Sequence, residues 1–180
     1  MKKSILILVT CLTVGTCFAQ KKTTTSAVIS FDATTSLDSG PKAENRTVVA
    51  ALDTRSGDVA FEATVKSFSF ANPMMQEHFN SKGWMDSDQF PLATFNGKIT
   101  NLNEVNFLKD GNYTANIEGD LTIHGETNRA TATATITVVG AKIGARASFS
   151  IQLKDYKIDN GPVTAGKVSK EPKISVAADF

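Results

Sequence analysis

The chain has 180 residues, with 19 basic and 18 acidic side chains, a formal net charge of +1 and 41% hydrophobic content. That balance offers no field to draw nucleic acid and no polybasic patch for an anionic membrane, and the length suits one domain around a single core. The only two cysteines, Cys11 and Cys17, lie before residue 20, so the rest of the chain carries neither a disulfide framework nor thiol chemistry.

Lys2 and Lys3 precede an apolar run over residues 5–14, followed by Gly15-Thr16-Cys17-Phe18-Ala19. This is the order of a secretory signal peptide over residues 1–19, with its cut after Ala19 and a periplasmic or secreted destination. The run is well short of the roughly 20 residues that a spanning helix needs. No other such run follows, which predicts no stable membrane insertion. Removal of Lys2 and Lys3 leaves 17 basic against 18 acidic side chains. Acylation at Cys17 is the alternative, though Val14-Gly15-Thr16 leads into it poorly. Residues 20–26 are polar and rich in Lys and Thr, and are expected to be a tether before a single domain over residues 27–180.

Ala27, Ile29 and Phe31 alternate with polar neighbours as a first strand. Residues 34–43 carry Ser39-Gly40-Pro41 and read as a loop; residues 47–52 are a short apolar strand, and Thr54-Arg55-Ser56-Gly57 is a turn. Val59, Phe61, Ala63 and Val65 then share one face, but Phe68 and Phe70 belong to the other parity. Strand side chains alternate strictly, so the change of phase predicts a bulge or sharp bend near Lys66-Ser67.

Asn72-Pro73 is a strong helix start, an N-cap followed by proline at the first helical position. The spacing of Met74, Met75, His78 and Phe79 predicts a helix over about residues 72–82 with a broad apolar side, ended by Lys82-Gly83. So short a helix needs docking to persist.

After Trp84-Met85 and Phe90-Pro91 the alternation resumes. Ala93, Phe95, Gly97 and Ile99 share a face. So do Tyr113, Ala115, Ile117, Gly119, Leu121 and Ile123 beyond the turn Asp110-Gly111-Asn112. Gly125-Glu126-Thr127-Asn128 reads as the next turn. Ala130, Ala132, Ala134, Ile136 and Val138 oppose a row of threonines, and after a turn over residues 140–144 Ala145, Ala147, Phe149, Ile151 and Leu153 continue. Residues 154–172 read as an irregular excursion before a last strand bearing Ile174, Val176, Ala178 and Phe180.

The pattern gives an all-β chain of about eight antiparallel strands, each with one buried and one wet face. With no second helix to cover a sheet, closure into an eight-stranded barrel is the economical solution, its interior wide enough for side chains or one slim ligand. A two-sheet sandwich is the alternative. The alanines and glycines of the inward faces, Gly97 and Gly119 among them, would leave space that large side chains or a ligand must fill.

Met75-x-x-His78-Phe79, Phe90-Pro91-x-Ala93-Thr94-Phe95 and Gly119-Asp120-Leu121-Thr122-Ile123-His124-Gly125-x-Thr127 resemble, in order and spacing, the motifs of the YceI-like family of exported lipid-binding proteins. The likeness spans roughly residues 53–153. It implies a lipocalin-like eight-stranded antiparallel barrel with one short helix insertion, no cofactor, and an elongated apolar pocket for a long-chain isoprenoid or other lipid. The chain departs from the family pattern at Ser30-Phe31-Asp32, Ala50-Ala51-Leu52 and Glu126.

The candidate ligand-binding residues are Phe68, Phe70, Met74, Met75, His78, Phe79, Trp84, Met85, Phe90, Phe95, Leu121, Ile123 and His124. Methionine adapts to flexible ligands, and aromatic rings give large area at little entropy cost; the plain alternative is that these side chains plug the barrel. The partner expected is thus a long-chain lipid, with a homodimer allowed. His78 and His124 are the only histidines, and on an apolar face each serves more often as a satisfied packing residue than as a base or ligand. They lack metal-ligand spacing. An enzyme using either on a lipid-like substrate, or a ligand-free structural protein of the envelope, are the competing functions. Asp86-Ser87-Asp88 opens like a calcium loop but lacks its glycine and closing glutamate. No nucleophile elbow or phosphate-cradling loop occurs. Lys82 and Arg129 are the basic residues best placed by sequence to meet a phosphate head.

Overall fold

The alternation closes into a ring. The computed structural model describes residues 21–180; the expected leader, with both cysteines, lies outside the described residues. The elements are β1 (Lys21–Asp32), β2 (Lys42–Asp53), β3 (Asp58–Thr64), β4 (Ser69–Phe70), α1 (Pro73–Asn80), β5 (Leu92–Ile99), β6 (Gly111–Ile123), β7 (Glu126–Val139), β8 (Lys142–Ser150), α2 (Gly161–Thr164) and β9 (Lys173–Asp179). Neighbours run β1-β2-β3-β5-β6-β7-β8-β9, all antiparallel, and β1 pairs with both β2 and β9 to close eight strands into a barrel. The two-residue β4 hangs on the start of β2. Closure leaves the barrel without the two exposed edges that an open sheet of these strands would carry.

Residues 21–26 are strand and not tether: Lys21 faces Asp53 and Thr24 faces Ala50 across β1 and β2. Thr23 and Thr24 suit a strand, and without them the end of β2 would lose a ladder. Register shifts around Ala27 bend β1 into the curvature of the ring. β2 likewise begins five residues before the apolar run that marks it. Polar Asn45 occupies an inward position and is fully buried. Its Nδ2 donates to Thr64 O at 2.9 Å, and its Oδ1 accepts from the N–H and the hydroxyl of Thr47, each at 2.9 Å. A buried amide so satisfied costs the strand little.

The predicted corner after β3 is a single 3₁₀ turn, Val65–Ser67, and not a bulge. Phe68 N–H donates to Val65 O at 3.2 Å, and one helical turn lets Val65 and Phe68, both buried, point into the same core despite their odd spacing. Asn72 caps α1 through Met74 N–H at 3.0 Å, with Pro73 in the first turn. The helix stops at Asn80, two residues sooner than Lys82-Gly83 suggests, where the Ser81 hydroxyl and N–H both donate to His78 O, at 2.7 and 3.1 Å.

Both ends of the barrel are covered. At one end residues 100–110 fold across the opening, bringing Val105 into the core with Leu102 and Phe107 packed on it. At the other, α1 and the excursion after β8 form a lid whose buried members include Phe79, Tyr156, Ile158, Val163 and Val168. That excursion is less irregular than its composition indicates, since it holds a 3₁₀ turn (Leu153–Tyr156) and α2.

Candidate functional site

Among the described residues, two cavities adjoin the barrel interior and its α1-end cover. The inner one, about 160 Å³, occupies the barrel lumen. Its wall is hydrocarbon on nearly every side: Phe61, Ile117, Ala130, Ala132, Ala145 and Phe149 face it from four strands. These inward side chains are only half-buried, although they belong to the core face. The lumen, not the bulk solvent, is what they are open to. The second cavity, about 170 Å³, lies towards the α1 end, between the helix, the loop before β2 and the α2 region; Met75, His78, Trp84 and Val168 border it, together with Asp38 and Lys167.

Phe31 and Phe79 border both spaces and form the partition between them. Phe79 is the centre of an aromatic cluster: its ring centroid lies 5.0 Å from Phe70, 5.8 Å from Phe68 and 6.1 Å from Phe31, all tilted. Such tilted pairs satisfy the ring quadrupoles.

The candidates divide accordingly. Phe68, Phe79, Met85, Phe95, Leu121 and Ile123 border the lumen; Phe70, Met75, His78 and Trp84 border the second cavity. Met74, Phe90 and His124 border neither. Met74 is 64% exposed, on the outer side of the first helical turn. Phe90 and His124 instead build a corner. His124 and Gly125 have φ of +53° and +76°, both positive, as the two-residue hairpin turns favoured by right-twisted strands require; β7 therefore starts at Glu126, and the turn is tighter than the Gly125–Asn128 stretch predicts. Phe90 packs edge-on to the His124 ring at 4.8 Å. A Cβ on Gly125 would lie 2.5 Å from that phenyl ring, so the glycine admits the phenylalanine. His124 Nδ1 lies 3.1 Å from Tyr156 O and ties the hairpin to the lid.

A family profile described as YceI-like domain matches residues 13–180. The chain belongs to the YceI-like family. No curated protein sequence gives a significant match. Among solved structures, Burkholderia cenocepacia BcnA superposes with a TM-score of 0.70 at 18% identity, covering 86% of this chain and 96% of that one. A polyisoprenoid binding domain from Saccharophagus degradans, implicated in plant cell wall breakdown, gives 0.74 at 9% identity over 89% and 97%. The Campylobacter jejuni YCEI protein gives 0.54 at 20% over 74% and 80%. At these identities the superpositions speak for the shared barrel.

Within this YceI-like barrel the basic candidates are already engaged or outside. Arg129 pairs with Glu118 at 3.0 Å and Asp120 at 3.3 Å on the outer face, and Lys82 is exposed on the loop after α1. Lys66 pairs with Asp88 at 2.6 Å, which holds that carboxyl below the usual range; Ser87 is buried and bonded to Asn80 O. The Asp86-Ser87-Asp88 loop is thus pinned to the barrel. Among the described residues no three potential metal-ligating side chains gather.

Sequence reasoning missed much of the lumen wall: Ile29, Phe61, Ile117, Phe149 and the alanines of β7 and β8. Their shared parity carried the signal. The glycines behave differently from the alanines. Gly97 and Gly119 face each other across β5 and β6, and a Cβ on either would meet the Phe95 ring within 2.7 Å. The phenylalanine covers the bare backbone there, so only the alanines leave room.

Proposed function

We propose that this protein holds a long-chain isoprenoid or a similar amphiphile in the lumen, and that it does so outside the cytoplasm. The observation that carries this is the chemistry of the inner wall. A polar solute entering it would lose its hydration and gain no partner, whereas an apolar chain is transferred at about 25 cal/mol per Å² of surface removed from water, before association costs. The second cavity supplies the contrast, with Asp38, His78 and Lys167 beside Met75 and Trp84, and so suits the more polar end of such a molecule. The name of the S. degradans domain is consistent with this ligand class.

Organic extraction of the purified protein and mass spectrometry should release a long-chain lipid. Ala145→Phe, which adds a ring to the lumen wall, should weaken isoprenoid binding by about tenfold, as one lost pocket's worth of apolar contact would, while the far-ultraviolet spectrum stays that of the parent. A protein that always extracts empty and gains no thermal stability from added isoprenoids would refute the reading. Export has its own test. The intact mass from a Gram-negative host should correspond to a chain starting at Gln20 and recovered from the periplasm, and retention of an uncut chain in the cytoplasm would refute that part.

A further inference from the structure

The barrel wall has a break. β7 pairs with β6 along its whole length, but with β8 only over residues 134–139 against 142–147. If that register continued, Ala132 would face Phe149 and Ala130 would face Ile151; neither pair forms. β8 instead follows β9, with Ser150 opposite Lys173, then Ile151 N–H to Pro172 O at 3.3 Å and Leu153 N–H to Lys170 O at 3.0 Å. The strands part at Ala134 and are tied together again further along, where Asn128 Nδ2 donates to Asp155 O at 2.7 Å and Lys157 meets Glu126 at 2.7 Å. From Ala134 to Asn128 β7 takes six residue steps, about 20 Å at the rise of an extended strand, with one edge carrying no ladder.

The lumen reaches this break. Ala130, Thr131 and Ala132 on one side and Ala147, Phe149 and Ile151 on the other all border the inner cavity. The barrel ends are stoppered by bulky groups, Leu102, Val105 and Phe107 at one and the Phe79 cluster at the other. Passing the ends means displacing packed rings. Passing the break means parting two edges with no paired ladder between them, over alanines on the β7 side.

The rim also selects. Its main-chain N–H and C=O groups offer hydrogen bonds, while the arginines of β7 and β8 are committed. Arg146 donates to Ala178 O and pairs with Asp179 at 2.8 Å, and Arg129 is held by Glu118 and Asp120. We propose that the break between β7 and β8 is a lateral portal, through which an amphiphile with an uncharged polar head passes into and out of the lumen. This rests on the lipid-holding reading above and adds the route and the head chemistry.

The test uses the full chain with Cys11→Ala and Cys17→Ala, and dansyl-labelled geranylgeraniol as probe. Ala132→Cys with Phe149→Cys, bridged by oxidation or by a short bismaleimide, closes the portal. Gly83→Cys with Asn160→Cys closes the α1 end, where Asn160 Nδ2 donates to Gly83 O at 3.0 Å. The portal bridge should slow uptake and release together by about tenfold or more, leaving the ratio of rates, and so Kd, nearly unchanged. The α1-end bridge should change neither rate by more than about twofold. Slowing confined to the α1-end bridge, or equal slowing by both, overturns the portal. The diphosphate ester of the same chain should load at least about tenfold more weakly; equal loading overturns the assignment of a neutral head. Absence of probe uptake by the unbridged protein sinks the lipid-holding reading itself, a result separate from those above.

Discussion

Phe79→Ala should destabilise the barrel by about 3–5 kcal/mol, the range for removing a buried phenylalanine that its surroundings cannot refill. The surroundings here are three further rings on separate elements, Phe31 on β1, Phe68 at the 3₁₀ corner and Phe70 on β4. None can follow the deleted ring without leaving its own strand or turn. The helix suffers as well. α1 has eight residues, too few to persist undocked, and Phe79 is its one buried member. Thermal unfolding followed by circular dichroism should show Tm lower by about 10–15 °C, at the few degrees per kcal/mol expected for a chain of this size. Urea titration should move the midpoint without changing the slope. A loss below about 1 kcal/mol would mean that the cluster is loosely packed and that Phe79 is no partition between the cavities.

That prediction bears on how far the sequence was legible. Strand faces could be read because each buried face alternates with period two, and the parity assigned to residues 59–65, 113–123 and 130–138 is the parity of the barrel interior. The helix start was legible from one Asn-Pro step. What escaped was decided by distant neighbours. Lys21 to Ser26 look like a tether until β2 is laid beside them, and Asn45 looks like a surface residue until Thr64 O and Thr47 are found around it. The site was half legible for the same reason. Large apolar residues near α1 attract attention, and they do form the partition and the second cavity. The lumen is instead shaped by where side chains are small. A void is a property of a closed ring of strands and not of any one stretch of chain. His124 shows the reverse error: it is a conspicuous residue whose place, at φ +53° in a tight turn with Nδ1 on Tyr156 O, belongs to the architecture.

Gly119→Val should cost at least as much as the upper end of the about 1–3 kcal/mol typical of overpacked cores. At this point β5 and β6 place two glycines directly opposite each other. A Cβ on Gly119 would fall 2.4 Å from Asn96 O and 2.4 Å from the Gly97 Cα, and 2.7 Å from the Phe95 ring. Two of those three contacts are with backbone in a paired ladder, which cannot retreat without breaking hydrogen bonds on both sides. The third is with the ring that lies over the bare backbone and closes that part of the lumen wall. Two comparisons separate these causes. Gly83→Ala, whose Cβ would meet only the Ser81 hydroxyl at 3.9 Å, should change stability by less than about 0.5 kcal/mol. Adding Phe95→Ala to Gly119→Val should fail to restore stability, because the backbone contacts remain. Restoration by that second change would show that the ring alone demands the glycine and that the strands have room to spare.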